Sequence, residues 1–151
     1  MVFVNSRRRS EQLSLWLKEH KINADCNHAG LSKEHRNRSQ KSMRQGEIDV
    51  MVATSTFEMG VNFPARKVII YDAYGFDGER FAPISIQRYR QSSGRAGRAG
   101  YDKQGESVLL LPNWHRDGDK YLTAEPEPIR SGLFSTAIKT PEKSSDNLNV
   151  K

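Results

Sequence analysis

Hydrophobic positions fall into short clusters with two different spacings. Val2-Phe3-Val4 is an unbroken run of β-branched and aromatic residues, which predicts a buried strand. Behind it, Ser6 can cap a helix, and Leu13, Trp16, Leu17 and His20 recur at helical spacing, so a helix is expected over about residues 7–20. Ile22 to Asn27 reads as a second strand, with Ala24 and Cys26 on one face. Ser32 to Gln45 reads as a second helix from its cap, its long polar side chains and the stop at Gly46; its apolar stripe is poor, with Met43 alone plainly core-like. Further buried strands are expected at Ile48 to Ala53, Val68 to Tyr71 and Ser107 to Leu111, the last stopped by Pro112. A further helix is expected between Asn113 and Leu122. Strands alternating with helices predict βαβ units: an α/β fold with a parallel sheet of about five or more strands and helices on both faces. Near-continuous apolar strands suit a sheet covered on both sides.

After residue 122 the periodicity stops. Residues 123–151 contain Pro126, Pro128, Pro141 and the polar run Lys143 to Asn147, which predicts an extended tail, disordered beyond about residue 137. The chain of 151 residues is thus one domain plus a tail. No stretch approaches the roughly 20 apolar residues of a membrane helix, and the charges follow the first apolar run, the wrong order for a signal peptide. One cysteine, Cys26, excludes an intrachain disulfide, and the four histidines are not at metal-ligand spacing, so no metal site is expected. These features point to an intracellular protein.

Charge sharpens this picture. The net charge is +6, and residues 1–44 alone, with ten basic and four acidic groups, hold an excess of that size. A second excess lies between Arg80 and Gly100, with five arginines and no acid. Clustered positive charge suits a polyanion, although a solvated basic surface would look the same.

Within that second cluster lies Gln91-Ser92-Ser93-Gly94-Arg95-Ala96-Gly97-Arg98. On one helical turn, Arg95 and Arg98 would project in similar directions, and two planar forks aimed at one point suit a multiply charged phosphate. An Arg/Gly-rich loop that binds RNA loosely, or only keeps the chain soluble, remains an alternative. A second segment, Val52 to Pro64, starts at the C-terminal end of a strand, the edge where ligands gather in open α/β sheets. Thr54 and Ser55 offer hydroxyls and N–H groups there, Gly60 permits an unusual backbone angle, and Asn62 can bond a ribose hydroxyl; an ordinary strand-to-helix turn is the plainer reading. Third, Asp77-Gly78 between Tyr74-Gly75-Phe76 and Phe81 is a hairpin signal, whose aromatics could meet unstacked bases or pack on the domain.

Four segments together resemble known helicase motifs, in the same order: Phe3-Val4-Asn5-Ser6-Arg7-Arg8 (motif IV), His28-Ala29-Gly30-Leu31, residues 52–65 (motif V) and residues 91–98 (motif VI). They resemble the second RecA-like domain, the C-terminal helicase domain, of superfamily 2 enzymes of the Ski2-like branch. Two departures are Asn27, where a second histidine is common, and Ser92-Ser93 in place of an apolar-small pair.

The resemblance implies a RecA-like domain over residues 1–122, with the tail leading toward an absent winged-helix domain. It implies that Arg95 and Arg98 act as arginine fingers on ATP, with Gln91 positioning the γ-phosphate, and that Gly60, Asn62 and Gly94 lie near the nucleotide. Ser6, Arg7, His28, Gly30, Thr54 and Ser55 would touch the backbone of a tracked single strand, though a lone histidine such as His28 is more often a packing residue. Tyr74, Phe76 and Phe81 would belong to a strand-separating hairpin. No Gly-x-x-x-x-Gly-Lys-Ser/Thr loop and no Asp-Glu-x-His/Asp box occurs. The resemblance therefore implies that a first RecA-like domain, absent from this chain, holds ATP and its Mg²⁺. The chain is then expected to be an inactive piece of a longer helicase, monomeric, acting with that domain on single-stranded or partly duplex DNA or RNA, 3′ to 5′ by analogy. The alternative is a non-catalytic nucleic-acid-binding domain of the same fold. The arginine pair is expected to face the sheet rim that bears Thr54, clear of ion pairs, and the motor reading is staked on that placement.

Overall fold

The apolar runs assemble into a parallel sheet in the computed structural model, which describes residues 1–54, 65–76, 79–98, 100, 102–123 and 125. The elements are β1 (Val2–Val4), α1 (Arg7–Glu19), β2 (Ala24–Asn27), α2 (Lys33–Arg44), β3 (Val50–Thr54), β4 (Lys67–Ile70), β5 (Tyr74–Phe76), β6 (Phe81–Pro83), α3 (Ile86–Ser93), β7 (Glu106–Leu109) and α4 (Lys120–Thr123). The main sheet has the order β2-β3-β1-β4-β7 with every pair parallel, and β5 and β6 form a separate antiparallel ribbon.

β1 lies at the centre with all three residues buried, which is why its sequence is apolar on both faces. In register, Val2 faces Val52 and Phe3 faces Ala53, so residue parity sorts the core into two layers. Val2, Val4 and Val52 pack beneath Leu13 and Leu17 of α1. Phe3, Met51, Ala53, Val68 and Ile70 pack on the other side, against Met43 of α2 and Ile86 and Tyr89 of α3. α1 therefore covers one face, and α2 and α3 the other.

All three long helices start on a serine. The side chains of Ser6, Ser32 and Ser85 accept from the N–H of Arg9, His35 and Arg88 at 3.2, 3.1 and 3.1 Å. Serines also explain how helices with poor apolar stripes can pack. Ser10, Ser14, Ser39 and Ser92 are buried, and the hydroxyls of Ser10, Ser14 and Ser39 donate to carbonyls three residues back. A satisfied small hydroxyl costs little to bury and lets a helix approach the sheet closely.

The structure departs from the sequence reading in four places, one of them α3, which the apolar spacing does not predict. β2 begins at Ala24, because Lys21 takes a left-handed angle (φ 61°) and the Ile22 N–H closes α1 onto the Leu17 carbonyl. The helix expected between Asn113 and Leu122 shrinks to α4, since His115 N–H turns back to the Pro112 carbonyl and Gly118 interrupts the run. The expected shared helical turn for Arg95 and Arg98 is absent: α3 ends at Ser93, capped by Gly94.

Candidate functional site

A parallel sheet has two unlike ends. At one, every strand finishes and helix N-termini begin; at the other, chains arrive before each strand. The five residues of β3 separate these rims by roughly 15 Å.

The rim where strands end gathers most of the residues expected to meet a nucleic-acid strand. Asn5 leaves β1 with its backbone N–H on Asp72 Oδ2 at 2.9 Å and its side-chain Nδ2 on the Tyr74 carbonyl at 2.7 Å. Arg9 is ion-paired with the same Asp72. Ser6 caps α1, and Arg7 follows, exposed. Gly30 lies against Arg7: a Cβ there would stand 3.1 Å from Arg7 Cδ and 3.1 Å from His28 Nδ1, a tight fit in which one of them must give by a few tenths of an ångström. Thr54, buried, closes β3 in register with Val4. Ser55 lies outside the described residues.

His28 corrects its expected role as a strand contact. It is 4 % exposed, and both ring nitrogens are engaged inside the chain. Nδ1 accepts from the Gly30 N–H at 3.2 Å, which leaves the proton on Nε2, directed at Glu11 Oε1 at 2.9 Å. His28 shapes the turn that presents Gly30. Asn27 supports it from below, its Nδ2 donating to Ser39 Oγ at 2.9 Å and the Arg36 carbonyl at 3.1 Å.

The hairpin rises from the same rim. β5 and β6 pair Phe76 with Phe81 and Tyr74 with Pro83, and both phenylalanines are about two-thirds exposed. Tyr74 differs from them. Its ring stacks on Phe81 at 6.0 Å and lies 5.0 Å from Trp114, and its hydroxyl meets His115 Nδ1 at 2.6 Å. Tyr74 thus anchors the ribbon. Asp77 and Gly78 lie outside the described residues.

The arginine loop sits at the opposite rim and Arg98 is ion-paired with Asp102, so the expected placement of the pair is corrected on both counts. The reason is topological. β4 and β7 are parallel, so α3 must carry the chain back to the end where β7 begins. Ala96 forms a bridge to Ala65, just before β4, with Ala65 N–H on the Arg95 carbonyl at 2.9 Å and Gly97 N–H on the Ala65 carbonyl at 2.7 Å. Gly97 takes φ 94°, and a Cβ at Gly105 would fall 2.2 Å from the Ala96 carbonyl carbon. Two backbones here touch with no room for a side chain.

Gln91 is exposed on α3, Gly94 caps it, and Arg95 is half-buried. Gly60 and Asn62 lie outside the described residues, in the segment that leads into Ala65. Arg98 does not project alone. Its Nε and Nη2 grip Asp102 Oδ2 and Oδ1 at 2.8 and 3.0 Å, and its backbone N–H also reaches Oδ2, at 3.0 Å. The guanidinium holds the Asp102 carboxyl below the usual carboxylate range. Sequence spacing did not single out Asp102, although it stands four residues beyond Arg98 in a glycine-bounded loop.

The fold also brings together Asp25, Cys26 and His35, three potential metal ligands with no signal in their sequence spacing. Asp25 already accepts from the Cys26 N–H at 2.9 Å and lies 3.8 Å from Lys18 and 3.5 Å from His35. Burial pushes the Cys26 thiol up, so it stays protonated at neutral pH. The cluster is a polar tie between β2 and its flanking helices. Among the described residues no helix is long and apolar enough to cross a membrane.

Comparison with known proteins agrees with this architecture. The helicase conserved C-terminal domain family matches residues 1–100. The chain is 42 % identical over 110 residues to the ATP-dependent DNA helicase Hel308 of Methanocella arvoryzae, covering 70 % of this chain and 15 % of that protein. It is 45 % identical over 107 residues to mouse DNA polymerase theta, covering 70 % of this chain and 4 % of the relative. The C-terminal domain of the DEAD-box protein Dbp5 superposes with a TM-score of 0.62 at 22 % identity, over 73 % of this chain and 59 % of that one, a likeness of fold. The chain belongs to the helicase conserved C-terminal domain family.

Proposed function

We propose that this chain is the C-terminal motor lobe of an ATP-dependent nucleic-acid helicase, with its two rims serving two ligands. The rim of Arg95 and Arg98 faces ATP held by a preceding RecA-like domain of the same protein, which also supplies the ligands for Mg²⁺. Closure brings both guanidinium groups onto the γ-phosphate, where they neutralise charge developing on its oxygens. Gln91 orients that phosphate, and Gly60, Asn62 and Gly94 line the nucleotide. At the other rim, Ser6, Arg7, Gly30, Thr54 and Ser55 grip the sugar-phosphate backbone of a single strand of DNA or RNA, in a turn built by His28. Contacts to phosphate hold register without reading sequence. Phe76 and Phe81, anchored through Tyr74, stack against the first unpaired bases and stop the duplex. The lobe works as a monomer, inside the cell, and residues 123–151 lead toward a following domain.

The observation behind this reading is the Ala65–Ala96 bridge, which ties the arginine loop to the end of the segment bearing Gly60 and Asn62, far from Thr54. A nucleotide set and a strand set on opposite ends of one stiff sheet suit a motor, in which hydrolysis at one end changes the grip at the other.

The test uses the protein with its N-terminal RecA-like domain. Arg98→Ala should reduce nucleic-acid-stimulated ATP hydrolysis on the order of 10³-fold or more while strand binding holds. Turnover unaffected by Arg98→Ala rejects the arginine-finger assignment.

A further inference from the structure

We propose that Asp102 is a positioning residue that holds the Arg98 guanidinium along one edge and aims its other edge at a phosphoryl group. This rests on the motor reading above.

A guanidinium is planar and has two edges suited to forked acceptors, Nε–Nη2 and Nη1–Nη2. Asp102 takes the first, with one carboxylate oxygen on each nitrogen. An incoming phosphate would address the second, Nη1–Nη2. The two partners are unequally covered. The Asp102 side chain is only 9 % exposed, whereas that of Arg98 is 49 % exposed, so the carboxylate is sunk into the loop and the cation lies outside it. The loop is also closed by backbone: the Asp102 N–H donates to the Arg98 carbonyl at 2.9 Å and the Arg98 N–H to Oδ2 at 3.0 Å. Gly97 and Gly100 make this tight circuit possible through left-handed angles of 94° and 82°. A long side chain ordered before its ligand arrives loses less freedom on engaging it. Because Asp102 also offsets part of the arginine charge, the gain belongs in the transition state, where phosphoryl charge builds, and little of it in ground-state affinity for ATP.

The expected signature is a split between kcat and KM in the two-domain protein. Asp102→Asn keeps one acceptor oxygen but loses the second, with the charge. It should lower kcat roughly 10- to 100-fold, as loss of a supporting partner commonly does, with KM for ATP little changed. Asp102→Glu should recover part of kcat. The double variant Arg98→Ala with Asp102→Asn should be no slower than Arg98→Ala alone, because Asp102 acts only through Arg98. If Arg98→Ala collapses turnover while Asp102→Asn leaves kcat unchanged or raises it, Asp102 is a bystander or a latch and the inference is overturned. A double variant slower than Arg98→Ala overturns it as well, by showing a separate structural role. Full turnover in Arg98→Ala itself removes the finger role of Arg98 and this inference with it.

Discussion

The two rims of the sheet are built by opposite means. Where strands end, side chains do the building: Asn5, Asp72, His28, Asn27 and Ser39 bond into a frame that exposes Arg7 and Gly30. Where strands begin, backbone does it: Ala65, Ala96, Gly97 and Gly105 meet with almost no side chain between them, and one ion pair completes the loop. A surface that follows a moving polymer can tolerate adjustable contacts. A surface that must meet one phosphoryl group within a fraction of an ångström needs a rigid support.

This contrast can be broken from either side. The largest effect is expected at the backbone-built rim. Gly105→Ala places a methyl 2.2 Å from the Ala96 carbonyl carbon, and neither backbone can give way without moving the arginine loop. We expect a loss of about 1–3 kcal/mol in stability, seen by thermal melting. In the two-domain protein, ATP turnover should fall on the order of 10²-fold with strand affinity preserved. Loss of strand affinity in step with turnover would mean that the rims are not separable.

A middle effect belongs to the side-chain-built rim. Asn27→Ala removes the two hydrogen bonds its Nδ2 donates to the Ser39 hydroxyl and the Arg36 carbonyl, which keep only the bond between them, at about 1–3 kcal/mol by the same measurement. Here the pattern should invert, with weaker single-strand binding by fluorescence anisotropy and basal ATP turnover retained.

The smallest effect on the fold comes from the hairpin. Phe76 and Phe81 are mostly exposed, so changing both to Ala should alter stability by no more than about 1 kcal/mol. Duplex unwinding should slow while ATP turnover continues, since stacking on unpaired bases is worth about 1–3 kcal/mol per base. A hairpin variant that unwinds normally would take away the wedge role.

How far the sequence could be read depended on what each residue type signals. β1 and β3 were legible because strands buried on both faces leave continuous apolar runs. α3 was overlooked because its buried residues are Ile86 and Ser92, and a serine does not register as a core residue until its close packing is seen. The motifs revealed the family, and the Asp-Gly pair flanked by aromatics marked the ribbon. Which rim holds the arginines cannot be read from motif spacing alone. It follows from parallel connectivity, since any crossover before β7 must return to the end where β7 starts. The partnership of Arg98 with Asp102 was hidden for a different reason: an acid four residues after a base means little until a loop folds one over the other.

Asn5 has a mechanical consequence. One residue carries the chain from the central strand into the helix that would hold a polymer, and the same side chain clasps the base of the aromatic ribbon. On the proposed function, gripping and parting the strands would be geared together: a shift of that strand's end would drag the ribbon along, and each advance would meet the fork in phase with the hold that produced it.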